Sequence, residues 1–179
     1  MQIISGRFKG VRIRTPKNVN ISPTSSVVRR AIFDYLRDDV AGKSVLDLYA
    51  GSGALGIESL SRGAFRAVFV EKDPDCLKSI RNNISILKGV DTQVIGMDVF
   101  MAFNFLKQER FDIIFIDPPY KDKVVKSVLL EIAEYDIVNE NPLLFAEHHK
   151  KEIISESIGV FKLIKKKSYG ETVISIFSK

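Results

Sequence analysis

A buried strand that stops abruptly on an acid constrains the fold of this chain most strongly. Six mostly apolar residues, 111–116, run directly into Asp117, Pro118, Pro119 and Tyr120. An almost continuous apolar run of this length is typical of a strand covered on both faces, as in a parallel sheet. Pro118 biases Asp117 away from helical angles, so the strand is predicted to end there. Its carboxyl end then presents a carboxylate, a carbonyl and an aromatic ring, at the edge where open α/β sheets bind ligands.

Strands and helices alternate through the chain after Gly42. The predicted strands are 44–49, 67–71, 92–96, 111–116, 142–147, 160–166 and 172–177, and the predicted helices are 54–62, 74–88, 99–108 and 122–135. This order predicts a Rossmann-like α/β fold: a mostly parallel, seven-stranded, doubly wound sheet with an antiparallel C-terminal hairpin strand. We expect one domain over 1–179, with residues 1–40 as a basic N-terminal arm and helix and 41–179 as the ligand-binding core.

The first 33 residues carry seven basic side chains and no acid, so this segment has a charge of +7 in a chain whose net charge is +5. Residues 2–15 predict a small β-hairpin or paired arm. A helix is predicted from a cap at Ser22 or Thr24 to about Asp38, with Arg29 and Arg30 off its buried stripe. Such one-sided charge is typical of a polyanion partner. The candidate contacts are Arg7, Lys9, Arg12, Arg14, Arg29 and Arg30.

Composition narrows the remaining possibilities. No apolar run approaches the roughly 20 residues of a membrane span, and we expect a cytoplasmic protein. The single cysteine, Cys76, excludes an internal disulfide and a cysteine-cluster metal site. His148 and His149 follow a strand without metal-ligand spacing, so no metal is expected. Lysines 165–167 are interpreted as a solvated turn that could extend the basic surface.

The segment from Asp47 to Gly56 predicts a nucleoside-binding loop between a strand and a helix. Its glycines allow a tight turn and a close approach of backbone to ligand, and the following helix begins with free N–H groups. Gly51, Gly53 and Gly56 also fit the dinucleotide fingerprint, and Glu71 follows Gly51 by twenty residues, where a ribose-binding acid belongs. A nicotinamide-dependent oxidoreductase therefore remains an alternative at this point.

Asp47 favours a different ligand, because a carboxylate beside the loop repels a pyrophosphate. The same carboxylate attracts an α-amino group, and S-adenosylmethionine carries an ammonium, a sulfonium and no phosphate. In this interpretation Glu71 binds the ribose hydroxyls and Asp98 meets the adenine amino group. Asp98 can equally cap the helix that follows, and the two roles are compatible.

The residues from Asp117 to Tyr120 suit chemistry on an exocyclic amino group. The lone pair of such a nitrogen is delocalised into its ring, so the group is a poor nucleophile. The Asp117 carboxylate and the Pro118 carbonyl can accept its two hydrogens and direct the lone pair towards a methyl donor. The Tyr120 ring can stack on the base. Transfer then depends mainly on positioning, and Asp117 is the nearest acceptor for the departing proton.

These motifs together resemble the Rossmann-like class I S-adenosylmethionine-dependent N-methyltransferases, and the whole chain resembles the bacterial RsmD family. The full-length resemblance also includes the arm 4–10, the segment 23–33 and the turn 169–171. Enzymes of that family methylate the N2 amino group of one guanine in 16S ribosomal RNA. Two departures are Ser22, where the family usually has arginine, and Arg30, where it usually has glutamate.

The resemblance implies the roles of particular residues. The cofactor pocket would comprise Asp47, Ala50, Gly51, Ser52, Gly53, Glu71, Lys72, Asp98, Val99 and Asp117, and the guanine would be held by Asp117, Pro118 and Tyr120. The core 41–179 would bind S-adenosylmethionine and release S-adenosylhomocysteine. The arm and first helix would contact 16S rRNA or the small ribosomal subunit, and the enzyme is expected to be a monomer.

Three other functions stay open from the sequence. The acceptor motif suits any planar amino group, so a DNA, other RNA or protein-glutamine N-methyltransferase is one alternative. A second is a non-catalytic RNA-binding protein that kept the fold, and the third is the nicotinamide-dependent oxidoreductase. The sequence does not specify the nucleotide, or whether naked RNA or assembled particles are the substrate.

Overall fold

The computed structural model describes residues 1–16, 25–119 and 123–179, and its centre is one eight-stranded sheet. The strands are β1 (Ser44–Leu48), β2 (Arg66–Glu71), β3 (Asp91–Gly96), β4 (Phe111–Ile116), β5 (Val138–His149), β6 (Ser157–Ile158), β7 (Phe161–Tyr169) and β8 (Thr172–Ser178). Their order across the sheet is β3-β2-β1-β4-β5-β8-β7-β6. Pairing is parallel from β3 to β5 and antiparallel from β5 to β6.

Helices cover both faces of this sheet. In the described part of the chain they are α1 (Ser26–Leu36), α2 (Ala54–Ser61), α3 (Pro74–Ile84), α4 (Val99–Leu106) and α5 (Val125–Glu134). Helices α4 and α5 pack against one face, whereas α1, α2, α3 and the N-terminal arm pack against the other. The strand residues alternate between these two clusters, so the central strands are buried on both faces. No helix in the described ranges combines the length and apolar character that a membrane span requires.

The predicted Rossmann-like fold is confirmed, with differences at the edges of the elements. The sheet has eight strands instead of seven because the two-residue strand β6 pairs with β7. Strand β5 begins at Val138, before the expected position 142, and α3 ends at Ile84 instead of about Lys88. Lysines 165–167 lie inside strand β7, so their interpretation as a turn is wrong.

The neighbouring positions of β1 and β4 follow from the doubly wound order. Leu48 and Ile116, the last residues of the two strands, are in register. Residues that follow both strands therefore meet at one edge of the sheet. The strand order reverses at this point, because β2 and β3 lie on one side of β1 and β4 and β5 lie on the other. This edge is the ligand-binding position of open α/β sheets.

The N-terminal arm folds back on itself, as predicted, and docks on α2. The amide of Ile3 donates to the carbonyl of Val11 at 3.0 Å, and Gln2 and Arg12 form an antiparallel bridge. The contact with α2 centres on Glu58, whose side chain is fully buried. Its carboxylate accepts hydrogen bonds from the amides of Ile4 at 2.7 Å and Ser5 at 3.0 Å. This acid therefore joins the arm to the core through backbone groups rather than through the arm's cations.

Gly6 brings the arm close to the end of α2. Its φ angle is +81°, and an added Cβ atom would lie 1.8 Å from the carbonyl oxygen of Ser61. The next amide, of Arg7, donates to that same oxygen at 2.7 Å, and the amide of Phe8 donates to the Ser61 hydroxyl at 3.0 Å. Only glycine satisfies both the left-handed backbone and the close approach at this position.

Helix α1 differs from its prediction at its start and on its buried face. Residues 17–24, which include the proposed caps Ser22 and Thr24, lie outside the described residues, and the Ser25 hydroxyl accepts the capping hydrogen bond from Val28. The prediction that Arg29 lies off the buried stripe is wrong, because its side chain is 2% exposed and its Nη2 donates to the Gln2 carbonyl at 2.8 Å. Arg30 is exposed, as predicted.

Replacing Gly6 by alanine should detach the arm from α2, because the new Cβ meets backbone atoms that cannot move aside. Gly10→Ala is the matched control, since its φ is +85° but nothing lies within 4 Å of an added Cβ. Both variants carry the left-handed backbone cost, and Gly6→Ala should lose about 1–3 kcal/mol of unfolding free energy more. Chemical denaturation measures this difference. Equal losses in the two variants would contradict the proposed docking contact.

Candidate functional site

Asp47 lies near the carboxyl end of β1 and is almost completely buried, with 2% of its surface exposed. Its Oδ2 accepts a hydrogen bond from the Gly56 amide at 2.9 Å, which satisfies one of the free N–H groups at the start of α2. Burial raises the pKa of the Asp47 carboxyl well above its ordinary value, and the charges of Asp117 and Glu71 raise it further. A cationic ligand would relieve both the desolvation and the repulsion of this group.

Glu71 ends β2 and receives three backbone hydrogen bonds. One oxygen accepts from the amides of Lys72 at 2.8 Å and Asp73 at 2.9 Å, and the other accepts from Gly51 at 2.8 Å. A carboxylate offers about four acceptor positions, so about one is left for a ligand donor. This leaves room for one ribose hydroxyl, fewer than the pair that the sequence suggested.

The glycine loop presents few amides to an anion. Gly51 and Gly53 have φ angles of +55° and +79°, as a tight turn requires. The amides of Gly51 and Gly56 donate to carboxylates, and the Gly53 amide donates to the Ala50 carbonyl at 2.7 Å. Three amides of the loop and the helix start are therefore already used, two of them by acids. This arrangement disfavours the dinucleotide alternative and suits a ligand with cationic groups.

Gly56 itself has a packing role against the sheet. A Cβ atom there would lie 2.3 Å from the ring of Phe69 on β2. Glycine at this position lets α2 lie close to the strand, which brings its amide within reach of Asp47. Ala50 and Ser52, both predicted to line the cofactor pocket, are buried in the same loop.

Asp98 closes the β3 side of the site. Its side chain accepts from the Phe100 amide at 3.0 Å, which caps α4, and its other oxygen pairs with the Lys72 ammonium at 3.1 Å. Lys72 therefore contacts two acids. Its side chain pairs with Asp98, and its backbone amide donates to Glu71. Val99, the first residue of α4, is buried next to Asp98 in the chain.

Asp117 and Pro118 follow β4 at the same edge, next to the loop that follows β1. Asp117 is partly exposed and Pro118 is buried. The charge of Asp117 contributes to the raised pKa of Asp47, which places the two carboxylates within electrostatic reach of each other. Tyr120, the predicted stacking residue, lies outside the described residues.

The predicted RNA contacts divide into exposed and buried residues. Arg7, Lys9, Arg12, Arg14 and Arg30 are exposed, and Arg29 is buried. Because the Arg29 guanidinium lies in the interior, we do not include it in the proposed RNA surface. Its burial lowers the pKa of Arg29, an effect partly offset by the charge of Glu58.

Asn83 joins the arm to the glycine loop and was missed by sequence reasoning. Its side-chain amide donates to the carbonyls of Arg14 and Ser52, both at 2.9 Å, and its oxygen accepts from the Arg14 amide at 2.8 Å. An asparagine at the same helical spacing as Cys76 and Ile80 was the available signal. Similarly, Glu58 is an acid within the apolar run of α2, and this was the available signal for the contact between the arm and that helix.

The remaining nucleophilic or titratable candidates are structural. Burial raises the pKa of Cys76 to about 12, so its thiol stays protonated at neutral pH. His148 is buried, its Nε2 lies 2.9 Å from the Ser175 hydroxyl, and burial lowers its pKa. Across the part of the chain that the structure describes, no group of three or more His, Cys, Asp or Glu could hold a metal ion.

The fold and its acid-lined sheet edge define the Rossmann-like architecture of class I methyltransferases. The chain belongs to the family described as Conserved hypothetical protein 95, whose model matches residues 1–178. YlbH of Bacillus subtilis (strain 168) is 34% identical over 182 residues, covering 100% of this chain and 99% of that protein.

Two further comparisons support this family assignment. Ribosomal RNA small subunit methyltransferase D of Buchnera aphidicola subsp. Acyrthosiphon pisum is 31% identical, covering 85% of this chain and 80% of its own. The solved structure of yhhF from Escherichia coli superposes with a TM-score of 0.85 at 25% identity, covering 100% of this chain and 97% of its own. The resemblance to the RsmD family is thereby confirmed.

Replacing Asp47 by asparagine should strengthen the ligand-free fold and weaken cofactor binding. Because the folded pKa is raised, ionised Asp47 costs stability as the pH rises from the ordinary value of 3.8 through the folded value. The Asp47→Asn substitution removes this cost, so the melting temperature of the variant should exceed that of wild type near pH 8 and match it in acid. Affinity for S-adenosylmethionine should fall about 10- to 100-fold, as a lost charged hydrogen bond implies. Calorimetry with and without cofactor measures both, and unchanged affinity would leave Asp47 with only its capping role.

Proposed function

We propose that this protein methylates the exocyclic N2 amino group of a guanine in 16S ribosomal RNA, using S-adenosylmethionine. The observation that carries the proposal is the pairing of β1 with β4, which puts Asp47 and the Asp117-Pro118 acceptor pair at one sheet edge. The first group suits a cationic cofactor and the second suits an amino group on a planar base. The relatives named as small subunit rRNA methyltransferases agree with an rRNA substrate.

The cofactor fits the chemistry of the donors and acceptors on this edge. S-adenosylmethionine, when bound, supplies an electrophilic methyl group on its sulfonium. Asp47 would accept from the α-ammonium, Glu71 from a ribose hydroxyl, and Asp98 from the adenine amino group. Val99 would contribute apolar surface beside the adenine. Because the Gly51 and Gly56 amides already donate to carboxylates, this loop would bind S-adenosylmethionine in preference to a dinucleotide.

The acceptor side positions the nucleophile. Asp117 and the Pro118 carbonyl would accept the two hydrogens of the guanine N2 group, and Tyr120 would stack on the ring. The new N–C bond would form as the bond between the sulfonium sulfur and the methyl group breaks, which leaves S-adenosylhomocysteine. The nitrogen would then release a proton, and the Asp117 carboxylate would receive it. Pro119 restricts Pro118 to extended backbone angles, which limits the direction of the Pro118 carbonyl. The guanine must be unpaired or flipped out of its stack to reach this edge.

The arm and α1 supply the surface for the RNA backbone in this proposal. Arg7, Lys9, Arg12, Arg14 and Arg30 are exposed cations on the face of the sheet that carries α1 and α2. Because Asn83 hydrogen-bonds to both Arg14 and Ser52, the arm is held at a fixed distance from the glycine loop. The substrate would be the rRNA of the small ribosomal subunit, acted on by a cytoplasmic monomer.

Replacing Asp117 by alanine should lower methyl transfer by about two to three powers of ten, since it removes an acceptor that acts on the reacting amino group. Cofactor affinity should change far less, because the cofactor would keep its contacts with Asp47, Glu71 and Asp98. The measurement is transfer of labelled methyl groups to small subunits that lack this modification, together with a cofactor titration.

Asp112→Ala provides the matched control at the opposite end of β4. Asp112 accepts from the Ser44 amide and the Asn139 side chain, both at 2.9 Å, so this variant should lose stability and keep its turnover when folded. Near-normal transfer by Asp117→Ala would contradict the proposed acceptor role.

A further inference from the structure

A groove lies between α1 and the C-terminal strands, on the same face of the sheet as the arm. It has a volume of about 530 Å³, and its lining includes Arg30, Tyr35, Phe145, Lys165, Lys167 and Tyr169. Phe145 and the β8 side chains of Ile174 and Ile176 form an apolar floor. None of these residues belongs to the cofactor pocket or to the amino-group acceptor described above.

The charge of this groove suits a polyanion. Arg30, Lys165 and Lys167 line it and are all exposed, whereas Asp34 is the one acid among the lining residues that the structure describes. Lys165 and Lys167 are alternate residues of β7, so both side chains project from the same face of the strand. The groove therefore continues the positive surface that begins at the arm and includes Arg30 of α1.

Two aromatic rings stand beside these cations. The Lys165 ammonium lies 4.7 Å from the centroid of the Tyr35 ring, and the Lys167 ammonium lies 5.3 Å from that of Tyr169. Both rings are partly exposed. Flexible lysines over exposed rings can turn to a phosphate and leave the ring face to a base. Alternating cations and rings are the arrangement that binds single-stranded nucleic acid.

The groove opens towards the catalytic edge of the sheet. Tyr169 is paired with Thr172, and Thr172 is paired with His149 at the carboxyl end of β5, which lies next to β4. By register Asp117 is level with Glu147, two residues before His149, so three strand spacings and two residues separate it from Tyr169, a distance of about 16 Å. At about 3.4 Å per stacked nucleotide, about five nucleotides span it.

We propose that this groove binds the single-stranded RNA immediately flanking the target base, with Lys165 and Lys167 on phosphates and Tyr169 stacked on a base. The inference rests on the proposed function, because it assigns a second binding site to the same RNA substrate. A paired flank would keep its base faces covered, so the rings select an unpaired segment. The groove thus specifies the structure of the RNA around the guanine, which the acceptor edge alone does not.

The test compares three variants in binding a fluorescently labelled oligouridine 12-mer across a range of salt concentrations. Lys165→Ala/Lys167→Ala should weaken binding about tenfold near 100 mM salt, and the slope of log affinity against log salt should fall by about 1.4, because each phosphate contact contributes about 0.7. Tyr169→Ala should weaken binding about tenfold with an unchanged slope, and Tyr169→Phe should restore it, because stacking needs only the ring.

The matched control is Lys162→Ala/Lys166→Ala, which removes the same charge from exposed positions of β7 that do not line the groove. Its affinity and slope should stay close to wild type. If the groove double variant behaves like this control, the proposal is overturned. The proposal is also overturned if the groove double variant still binds the 12-mer but no longer binds isolated small subunits, since the groove would then hold a ribosomal protein.

Methyl transfer separates this proposal from the proposed function. If wild type methylates rRNA while the groove variants bind the 12-mer normally, the groove assignment fails and the function stands. If wild type transfers no methyl group to rRNA but the groove variants lose RNA binding as expected, the function fails and the groove stands. Thermal melting of each variant establishes that the loss of binding is not a loss of fold.

Discussion

The parallel pairing of β1 with β4 is the constraint on which the site depends. It aligns Leu48 with Ile116, so the glycine loop and the Asp117-Pro118 turn leave the sheet side by side. Each half of the proposed reaction comes from a different βα connection, and only this strand order makes them neighbours. The apolar packing on both faces of β1 and β4 therefore supports the chemistry directly, because it fixes the distance between cofactor and acceptor.

This arrangement leaves a set of acids in poor contact with solvent. Burial raises the pKa of Asp47, the charges of Asp117 and Glu71 raise it further, and the hydrogen bond from the Gly56 amide only partly offsets these effects. Without a ligand, the negative charges at this edge repel one another, and a bound cation would stabilise them. The hydrogen bonds that the Gly51 and Gly56 amides donate to acids distinguish this loop from a dinucleotide site, although the glycine spacing alone fits both.

The arm is attached by groups that leave its cations available. Glu58 and Ser61 bind arm amides, and Asn83 binds the backbone of Arg14, so the attachment uses main-chain groups. Arg7, Arg12 and Arg14 remain exposed. A basic segment held in this way would present a fixed charge pattern to the proposed RNA substrate, and the groove beside α1 continues the pattern towards β7.

Sequence reasoning predicted the elements whose signals are local. The apolar run of β4, the glycine loop and the acid at the end of β2 all lie within single segments, and their fold is confirmed. Arg29 was misplaced because helical periodicity does not reveal that the arm covers that side of α1. Lysines 165–167 were interpreted as a turn because of their charge, although the predicted strand 160–166 already included two of them.

Other features could not be predicted because they join segments far apart in the chain. Asn83 links residues on the arm to the glycine loop, and the groove combines α1 with β7. Such contacts depend on strand order and helix placement, which no short pattern specifies. The catalytic roles assigned to Asp117 and Pro118 remain predictions, supported by their position at the shared edge.

The most direct test of the proposed reaction is to map the methylated nucleoside. Small ribosomal subunits from cells lacking this protein are incubated with it and with methyl-labelled S-adenosylmethionine, and the rRNA is digested and analysed by mass spectrometry. We expect label in one N2-methylguanosine of 16S rRNA. Label in another nucleoside or in protein, or no transfer despite cofactor binding, would contradict the proposed reaction.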